Sequence, residues 1–397
     1  MAILEFEHAR NLVIETVAGG RVLPLLETVP LEDALGRILG SAVFADRDYP
    51  PMARSVRDGF ALQASSLPGD FQIVGEVRAG GRFDGELGPA EAVEIMTGAP
   101  VPTGADQIVM VEHAHTDGGR MQTARPPAPG EFINPQGSEA AVGNVVIAAG
   151  CRLNYAHIAM LATVGVYKVP VYRKPRVAIL ATGDEIIEIS QTPEPSQIRN
   201  SNSYSIAAQV IRAGGIAEIL PVAKDDMAET RRLILRGLKA DMLLLSGGVS
   251  AGKYDFVEPV LAELGARFYF DGVKIQPGKP LVFGTVQNRY FFGLPGNPAS
   301  TMVTFELFAR AALELLSGQN NLLLPLTEAP LTEAVQHKTG LTRFLPARIA
   351  AHGESVTPVP WQGSSDIGAL VRANCFMVFD SNRESWQAGD RIRILLQ

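Results

Sequence analysis

The segment after Lys174-Pro175 most constrains the fold, because it repeats one grammar: an apolar run, a polar loop containing glycine or acids, then an amphipathic stretch. Residues 177–181 form the first run and end in Thr182-Gly183-Asp184-Glu185, after which residues 204–213 read as a helix closed by Gly214-Gly215. The cycle recurs with a strand at 216–222, the loop Lys224-Asp225-Asp226, a helix at 227–238, a strand at 242–245, a loop at 246–252 and a helix at 256–264. Strands alternating with helices predict a doubly wound parallel α/β domain. Two further strands, at 281–285 and 290–293, lead into Leu294-Pro295-Gly296-Asn297-Pro298-Ala299-Ser300 and a long helix ending near Leu316.

The rest of the chain follows other patterns. A helix starts at Phe6 and is closed by Gly19-Gly20, and a second is predicted from Pro30 to Leu39, since proline suits a first helical turn. Between residues 46 and 143 short β-like runs (71–73, 92–95, 107–112), followed by 144–147, alternate with Gly/Pro turns, which predicts a β-rich insertion. Beyond Pro325 the β runs 348–350, 376–379 and 391–395 predict a small C-terminal β-barrel-like domain. A chain of 397 residues has room for about two to four domains.

Composition excludes several classes. With 46% hydrophobic and 19% charged residues, there is ample apolar surface to offset the entropy of folding, which excludes wholesale disorder. No apolar run reaches the roughly 18 residues of a membrane span. The start, MAILEFEHAR, carries acids where a signal peptide is basic and then apolar, so a cytoplasmic protein without membrane attachment is expected. Cys151 and Cys375 stand in no metal-type spacing, and neither is a nucleophile by spacing. The formal net charge of −7 argues against nucleic acid, whose affinity rests on many Lys/Arg–phosphate contacts.

The chemistry is expected in the loops that follow strands, because ligands of open parallel sheets bind beyond the strands' carboxyl ends. In Ser246-Gly247-Gly248-Val249-Ser250-Ala251-Gly252 the glycines let backbone N–H groups approach an anion, although a tight turn without a ligand would read the same way. Asn297-Pro298 opens a helix, with Ser300 as a further hydroxyl donor; Asn297 as a plain helix cap is the alternative. Asp184, Glu185, Asp225, Asp226 and Asp255 supply the carboxylates that Mg²⁺ prefers beside phosphates. Lys274 and Lys279 flank the stiff Pro277-Gly278 turn and suit an oxyanion. His113 and His115 alternate on a predicted strand, but no third residue is spaced with them for zinc. No nucleophile elbow, HExxH or kinase signature is present, which favours metal-assisted transfer on a bound anion.

Six segments carry a resemblance: Arg57-Asp58-Gly59-Phe60-Ala61, Met96-Thr97-Gly98-Ala99-Pro100, Thr182-Gly183-Asp184-Glu185, Ser246-Gly247-Gly248-Val249-Ser250, Pro277-Gly278-Lys279-Pro280 and Leu294-Pro295-Gly296-Asn297-Pro298. With Gln362-Gly363-Ser364 and Arg372-Ala373-Asn374 they resemble, over nearly the whole chain, the molybdopterin molybdenumtransferase family: MoeA in bacteria and the E domain of gephyrin-type proteins. The resemblance implies insertion of molybdate into adenylylated molybdopterin with release of AMP, dependent on Mg²⁺ or a similar ion, as the last step of molybdenum cofactor biosynthesis. It implies a homodimer of four-domain chains: domain I (dimerisation and linker) at 23–45 and 143–173, β-rich domain II at 46–142, the α/β molybdopterin-binding domain III at 1–22 and 174–324, and β domain IV at 325–397. Asp58, Thr97 and Glu139 would then face Glu185, Asp225 and Asp255 across chains. By position in the motifs, catalytic roles fall to Asp58, Thr97, Glu185, Asp225 and Asp255, with metal ligation by Glu185, Asp225 and Asp255. Substrate binding falls to Glu139, Asp184, Ser246, Gly247, Gly248, Ser250, Lys274, Lys279, Pro295, Asn297, Pro298 and Ser300. Molybdopterin adenylyltransferase and molybdoenzyme maturation factors are the partners it suggests.

The chain departs from the family pattern at three places. Ser55-Val56-Arg57 replaces Ser-Ala-Met, adding a guanidinium that tightens anion binding or pairs with an acid; Gly137-Ser138-Glu139 replaces Gly-Glu-Asp; and Gln276 replaces a Lys or Arg, with Lys274 as its substitute one pleat away. Two rival readings are a molybdopterin adenylyltransferase, which the Asp58 and Thr97 motifs oppose, and a non-catalytic molybdate or molybdopterin sensor or scaffold.

Overall fold

The computed structural model describes residues 3–20, 22–123, 128, 130–247, 256–320, 322 and 324–396. Its centre is a six-stranded sheet of β1 (Arg176–Ala181), β2 (Ile216–Ile219), β3 (Met242–Ser246), β4 (Arg267–Phe270), β5 (Val282–Val286) and β6 (Arg289–Leu294) in the order β2-β1-β3-β6-β5-β4. The first four of these strands are mutually parallel. Every residue of β3 is buried, as a strand covered on both faces requires. The sheet is doubly wound. Helices α1 (Phe6–Gly20), α2 (Ser201–Arg212) and α5 (residues 298–316) cover one face over Val177, Leu244 and Phe292, and α3 (Met227–Gly237) and α4 (Val257–Glu263) cover the other over Leu180 and Leu243. Helix α3 shows why the sequence folds this way: Asp226 accepts from Glu229 N at 2.7 Å as its cap, and Thr230, Leu233, Ile234 and Gly237 bury one stripe.

The sheet departs from the all-parallel expectation at one edge. β5 and β6 are joined by only Gln287 and Asn288, both left-handed (φ 48° and 59°), and a two-residue connection can join only antiparallel neighbours. The helix predicted from Pro30 is also absent. Leu26–Pro30 is instead a strand paired with Lys168–Tyr172, followed by a single 3₁₀ turn, Leu31–Asp33, and Gly36 at φ 75° turns the chain away. His113 lies in a 3₁₀ turn rather than on a strand with His115.

The β-rich region is a six-stranded sheet running from Gln107–Met110 through Gly59–Leu62, Glu91–Ile95, Asp70–Val77 and Arg120–Thr123 to Ala114–Asp117. Between it and the α/β core stand two strand pairs and the helix Tyr155–Thr163, which a reciprocal Asn154–His157 box caps. The C-terminal sheet runs from Ile275–Gln276 through Thr342–Ile349, Cys375–Phe379 and Arg391–Leu396 to Leu326–Pro330. It is pinned to the α/β core by Phe344, whose ring meets Phe6 edge-on at 5.4 Å, and by Phe376 and Leu395 in the same apolar cluster. That packing sets the loop around Ser364 beside the carboxyl ends of the parallel strands. Burial raises the Cys375 thiol to about 11, and Cys151 also lies above the usual thiol range because of burial, so neither is poised as a thiolate.

Candidate functional site

β1, β3 and β6 end side by side, and beyond Ala181, Ser246 and Leu294 opens a cavity of about 1090 Å³. Its floor is made of the loops that leave those strands. Gly247 (φ 84°) has no room for a side chain, since a Cβ would stand 3.0 Å from the Thr182 carbonyl oxygen. Gly183 (φ 134°) is restricted by its backbone conformation, and the Glu185 carboxylate lies over the place where its Cβ would stand, so Glu185 folds back over Gly183 and lines the cavity.

Two helices start at this cavity. Asn200 caps α2 by accepting from Ser203 N at 3.2 Å, and Ser201 and Asn202 line the wall. The Asn202 amide donates to Ser246 Oγ at 3.0 Å and to the Gly296 carbonyl at 2.7 Å, tying together the loops after β3 and β6. Asn297 precedes α5, with Pro298 in its first turn, but the Asn297 side chain makes no cap bond. It donates instead to Ser364 Oγ at 2.9 Å, while Ala299 N donates to the Ser364 carbonyl at 2.9 Å. The plain-cap alternative for Asn297 therefore fails, and this residue joins the α/β core to the C-terminal region. Ser300 lines the cavity and is 5% exposed.

Lys279 lines the cavity and has no ion-pair partner among the described residues. Lys274 does not reach it: its ammonium pairs with Glu5 at 2.5 Å, so it cannot stand in for the missing cation at Gln276, which itself lines the wall. Arg199 brings a second positive charge, a guanidinium held by its bond to the Gln191 carbonyl at 2.9 Å. Asp184 and Asp225 are not among the residues that line the cavity; beside Glu185, which is, burial and then the charges of Asp184 and Glu185 push the Asp225 carboxyl above the usual carboxylate range. Asp225 N donates to Asp184 Oδ1 at 3.2 Å, which fixes the two loops side by side. The predicted residues Gly248, Ser250 and Asp255 lie outside the described residues. Among the described residues no group of three His, Cys, Asp or Glu side chains is placed to hold a metal ion.

Asp58, Thr97 and Glu139 lie elsewhere, on the β-rich region, and none of them lines the cavity of its own chain. They form a second constellation. Asp58 Oδ1 accepts from Thr97 Oγ1 at 2.7 Å and Thr97 N at 2.6 Å, and these two bonds hold its carboxyl below the usual range. Glu139 accepts from the Asn134 amide at 2.9 Å, and Asn134 pairs with Arg54 just before Ser55. Ser138 donates to Asn134 Oδ1 at 2.5 Å, and Gln136 donates to Asp48 at 2.8 Å, so Ser138, the uncharged replacement, is built into the turn. Among the described residues Arg57 pairs with no acid and reaches only the Val56 carbonyl, at 3.5 Å.

Sequence reasoning missed Asn200, Asn202, Arg199, Trp361 and Ser364 as wall residues. Asn200-Ser201-Asn202 carries a helix-start signature that was available; nothing local marks Trp361.

Three family models match successive parts of the chain: "MoeA N-terminal region (domain I and II)" over residues 4–165, "Probable molybdopterin binding domain" over 178–315 and "MoeA C-terminal region (domain IV)" over 328–396. A molybdopterin molybdenumtransferase of Bacillus subtilis (strain 168) is 35% identical over 387 residues, spanning 93% of this chain and 89% of that protein. One from Nostoc sp. (strain PCC 7120) is 37% identical over 303 residues, 74% of this chain and 70% of that one. Among solved structures, the molybdopterin biosynthesis MoeA protein of Pyrococcus horikoshii OT3 aligns at a TM-score of 0.83 and 26% identity, covering 100% of both chains. No helix among the described residues is long and apolar enough to cross a membrane.

Proposed function

We infer the activity of this chain from one premise, that it belongs to the molybdopterin molybdenumtransferase (MoeA) family: it inserts molybdate into adenylylated molybdopterin and releases AMP. The observation that carries the reading is the convergence of Gly247, Lys279, Asn297 and Ser300 on one cavity that Glu185 also lines, with Asp184 and Asp225 coupled to Glu185 by charge. Backbone N–H groups and cations receive the phosphate, and acids stand beside it.

Lys279 and Arg199 bind the anionic part of the substrate, and Ser300 with the start of α5 orients it. The closed tie from Asn297 to Ser364 keeps one wall in place and limits water. The donor set fits a divalent cation: Asp225 is raised by burial and then by the neighbouring carboxylates of Asp184 and Glu185, and Mg²⁺ needs only one or two carboxylates when phosphates and waters complete its shell. Glu185 and Asp225 would hold it; Asp255, the third ligand the resemblance implies, lies outside the described residues. Such an ion, when bound, neutralises the charge that builds on the phosphate as AMP departs.

We further propose that the site is completed by a second copy of the chain, which presents Asp58, Thr97 and Glu139. Support comes from the apolar residues left exposed between the two sheets, among them Phe44 and Val145, which pair across strands, and Tyr155 at 84% exposure. We divide the chain as domain I at 23–45 and 143–173, II at 46–142, III at 1–22 and 174–324, and IV at 325–397. Apolar clusters around Leu161, Val93 and Met377 that stand apart from the Leu244 cluster support that division, although the Leu244 cluster also takes in Phe344, Phe376 and Leu395 of domain IV. A cytoplasmic setting goes with the activity and suits two unpaired cysteines.

The test is AMP release from adenylylated molybdopterin with Mg²⁺ and molybdate, for the wild type and for Glu185→Gln and Lys279→Ala. Molybdate-dependent release that falls at least tenfold in both variants supports the reading. Molybdate binding without AMP release would assign a sensor instead.

A further inference from the structure

The opposite end of the central sheet holds a second cavity, of about 790 Å³, bounded by the C-terminal end of α1, the β5–β6 turn and the first residues of β4 and β6. Arg173, Arg267 and Arg289 line it, and among the described residues Asp241 is the one carboxylate of the lining. In a chain with a formal net charge of −7, three guanidinium groups around one acid are a local reversal of sign.

Asp241 is already fully engaged. Its two oxygens accept a fork from Arg173 at 3.0 and 3.1 Å, and Oδ2 also accepts from Arg176 N at 2.7 Å. Arg289 comes no closer to it than 3.6 Å, which leaves most of its five donors unused by Asp241. Arg267 pairs with no carboxylate among the described residues; its guanidinium lies over the Tyr269 ring, 4.9 Å from the centroid, which holds it in a fixed plane. Arg267 and Arg289 are the first residues of β4 and β6, so rigid strands rather than loops carry them. The Asn288 side chain adds an amide at the turn. Gly20 keeps the Tyr290 hydroxyl clear, since a Cβ there would lie 2.7 Å from that oxygen.

We propose that this cavity is a second anion site, which takes a small molecule bearing a phosphate or a comparable polyoxyanion through the guanidinium forks of Arg267 and Arg289. Guanidinium matches two oxygens of such a group in one plane. The volume falls within the range of small-molecule sites, about 300–1,000 Å³. Asp241 and Arg173 are the fixed backing of the site, and Arg267 and Arg289 are its hands. The site is separate from the cavity at the carboxyl ends and needs no assumption about the reaction there.

The experiment is calorimetric titration of the full chain with sodium pyrophosphate at low ionic strength, alongside AMP release as a second readout. Wild type is expected to bind in two classes, one per cavity. Arg267→Gln/Arg289→Gln should weaken one class tenfold or more and leave AMP release unchanged, while Lys279→Gln should weaken the other class only. Arg267→Lys/Arg289→Lys, which keeps charge but not the fork, should fall between. Citrate in place of pyrophosphate separates the sources: binding that needs the same two arginines and exceeds pyrophosphate supports the site and makes its ligand a polycarboxylate. A single class lost entirely in Lys279→Gln, or pyrophosphate binding indifferent to both arginine pairs, overturns the proposal. So does loss of AMP release in step with loss of binding in both arginine variants.

Discussion

Replacing Gly278 by alanine tests how the fold aims Lys279. Gly278 sits at φ 110°, and a Cβ built there lies 2.5 Å from Thr304 Cγ2 and 3.2 Å from Ile275 Cδ1. Both neighbours are fully buried, and Thr304 Oγ1 donates toward the Ser300 and Thr301 carbonyls at 2.8 and 3.1 Å, so it cannot swing aside without giving up a bond. The backbone conformation costs a side chain about 1–3 kcal/mol and the overpacking about 1–3 kcal/mol, together about 2–6 kcal/mol if nothing moves. The turn relieves part of this by shifting, and Lys279 shifts with it. A misplacement on the order of 1 Å costs about 100-fold in rate. Urea unfolding and kcat/KM for AMP release should therefore both fall in Gly278→Ala. Thr304→Ser removes Cγ2 and keeps the hydroxyl, so in that background the same change should cost about 1 kcal/mol less and recover part of the activity. A loss in Gly278→Ala below about 1 kcal/mol with no coupling to Thr304→Ser would falsify the packing argument.

Three further outcomes follow from the geometry. Co-expressing an Asp58→Ala chain with a Glu185→Gln chain, each inactive alone, should restore about one quarter of wild-type AMP release, because half of randomly mixed dimers regain one of two sites; no recovery in mixed dimers would mean that each site draws Asp58 and Glu185 from the same chain, and would refute the shared site. Asn297→Ala should raise KM for the adenylylated substrate about 2–10-fold by freeing Ser364, the equivalent of one lost hydrogen bond, and Ser364→Ala should add little on top of it. Burial raises the Asp241 carboxyl, but the Arg173 fork and Arg176 N outweigh it and leave the folded value below 3.8. Its stabilising contribution is thus complete above pH 3.8 and lost as pH falls below that, so Asp241→Asn should lose about 1–2 kcal/mol in urea at neutral pH and converge on wild type in acid.

The α/β core was legible because burial on both faces of a strand leaves a continuous apolar run, as at Met242 to Leu245, and because glycines and acids punctuate each strand end. The strand Leu26–Pro30 was not. Its proline sits in a two-stranded ribbon whose partner lies more than a hundred residues away, and no local pattern records that pairing. The same limit applies to the β5–β6 hairpin: Gln287-Asn288 is a poor turn signal by composition, and tertiary pairing with β3 and β4 imposes two left-handed residues on it.

Site residues divide along the same line. Gly183, Gly247 and Gly278 announced themselves because each adopts a backbone conformation that a side chain resists, a constraint written into one position. Lys274 misled because period-two reasoning put it on the same face as Gln276, whereas Glu5, brought in when the N-terminal strand Ile3–Leu4 pairs with Gly272–Val273, captures its ammonium. Trp361 was silent, and Ser364 was visible only as part of the Gln362-Gly363-Ser364 segment, because their role as wall residues is conferred by Phe344, Phe376 and Leu395 packing the C-terminal sheet onto α1 and the core. The cavity is therefore a property of two apolar contacts made far from it: the edge-on Phe6–Phe344 pair and the Phe6–Phe308 pair at 5.9 Å, which lock the C-terminal sheet, α1 and α5 together. A substitution at Phe6, which does not itself line the site, acts on the Asn297–Ser364 tie through both of them.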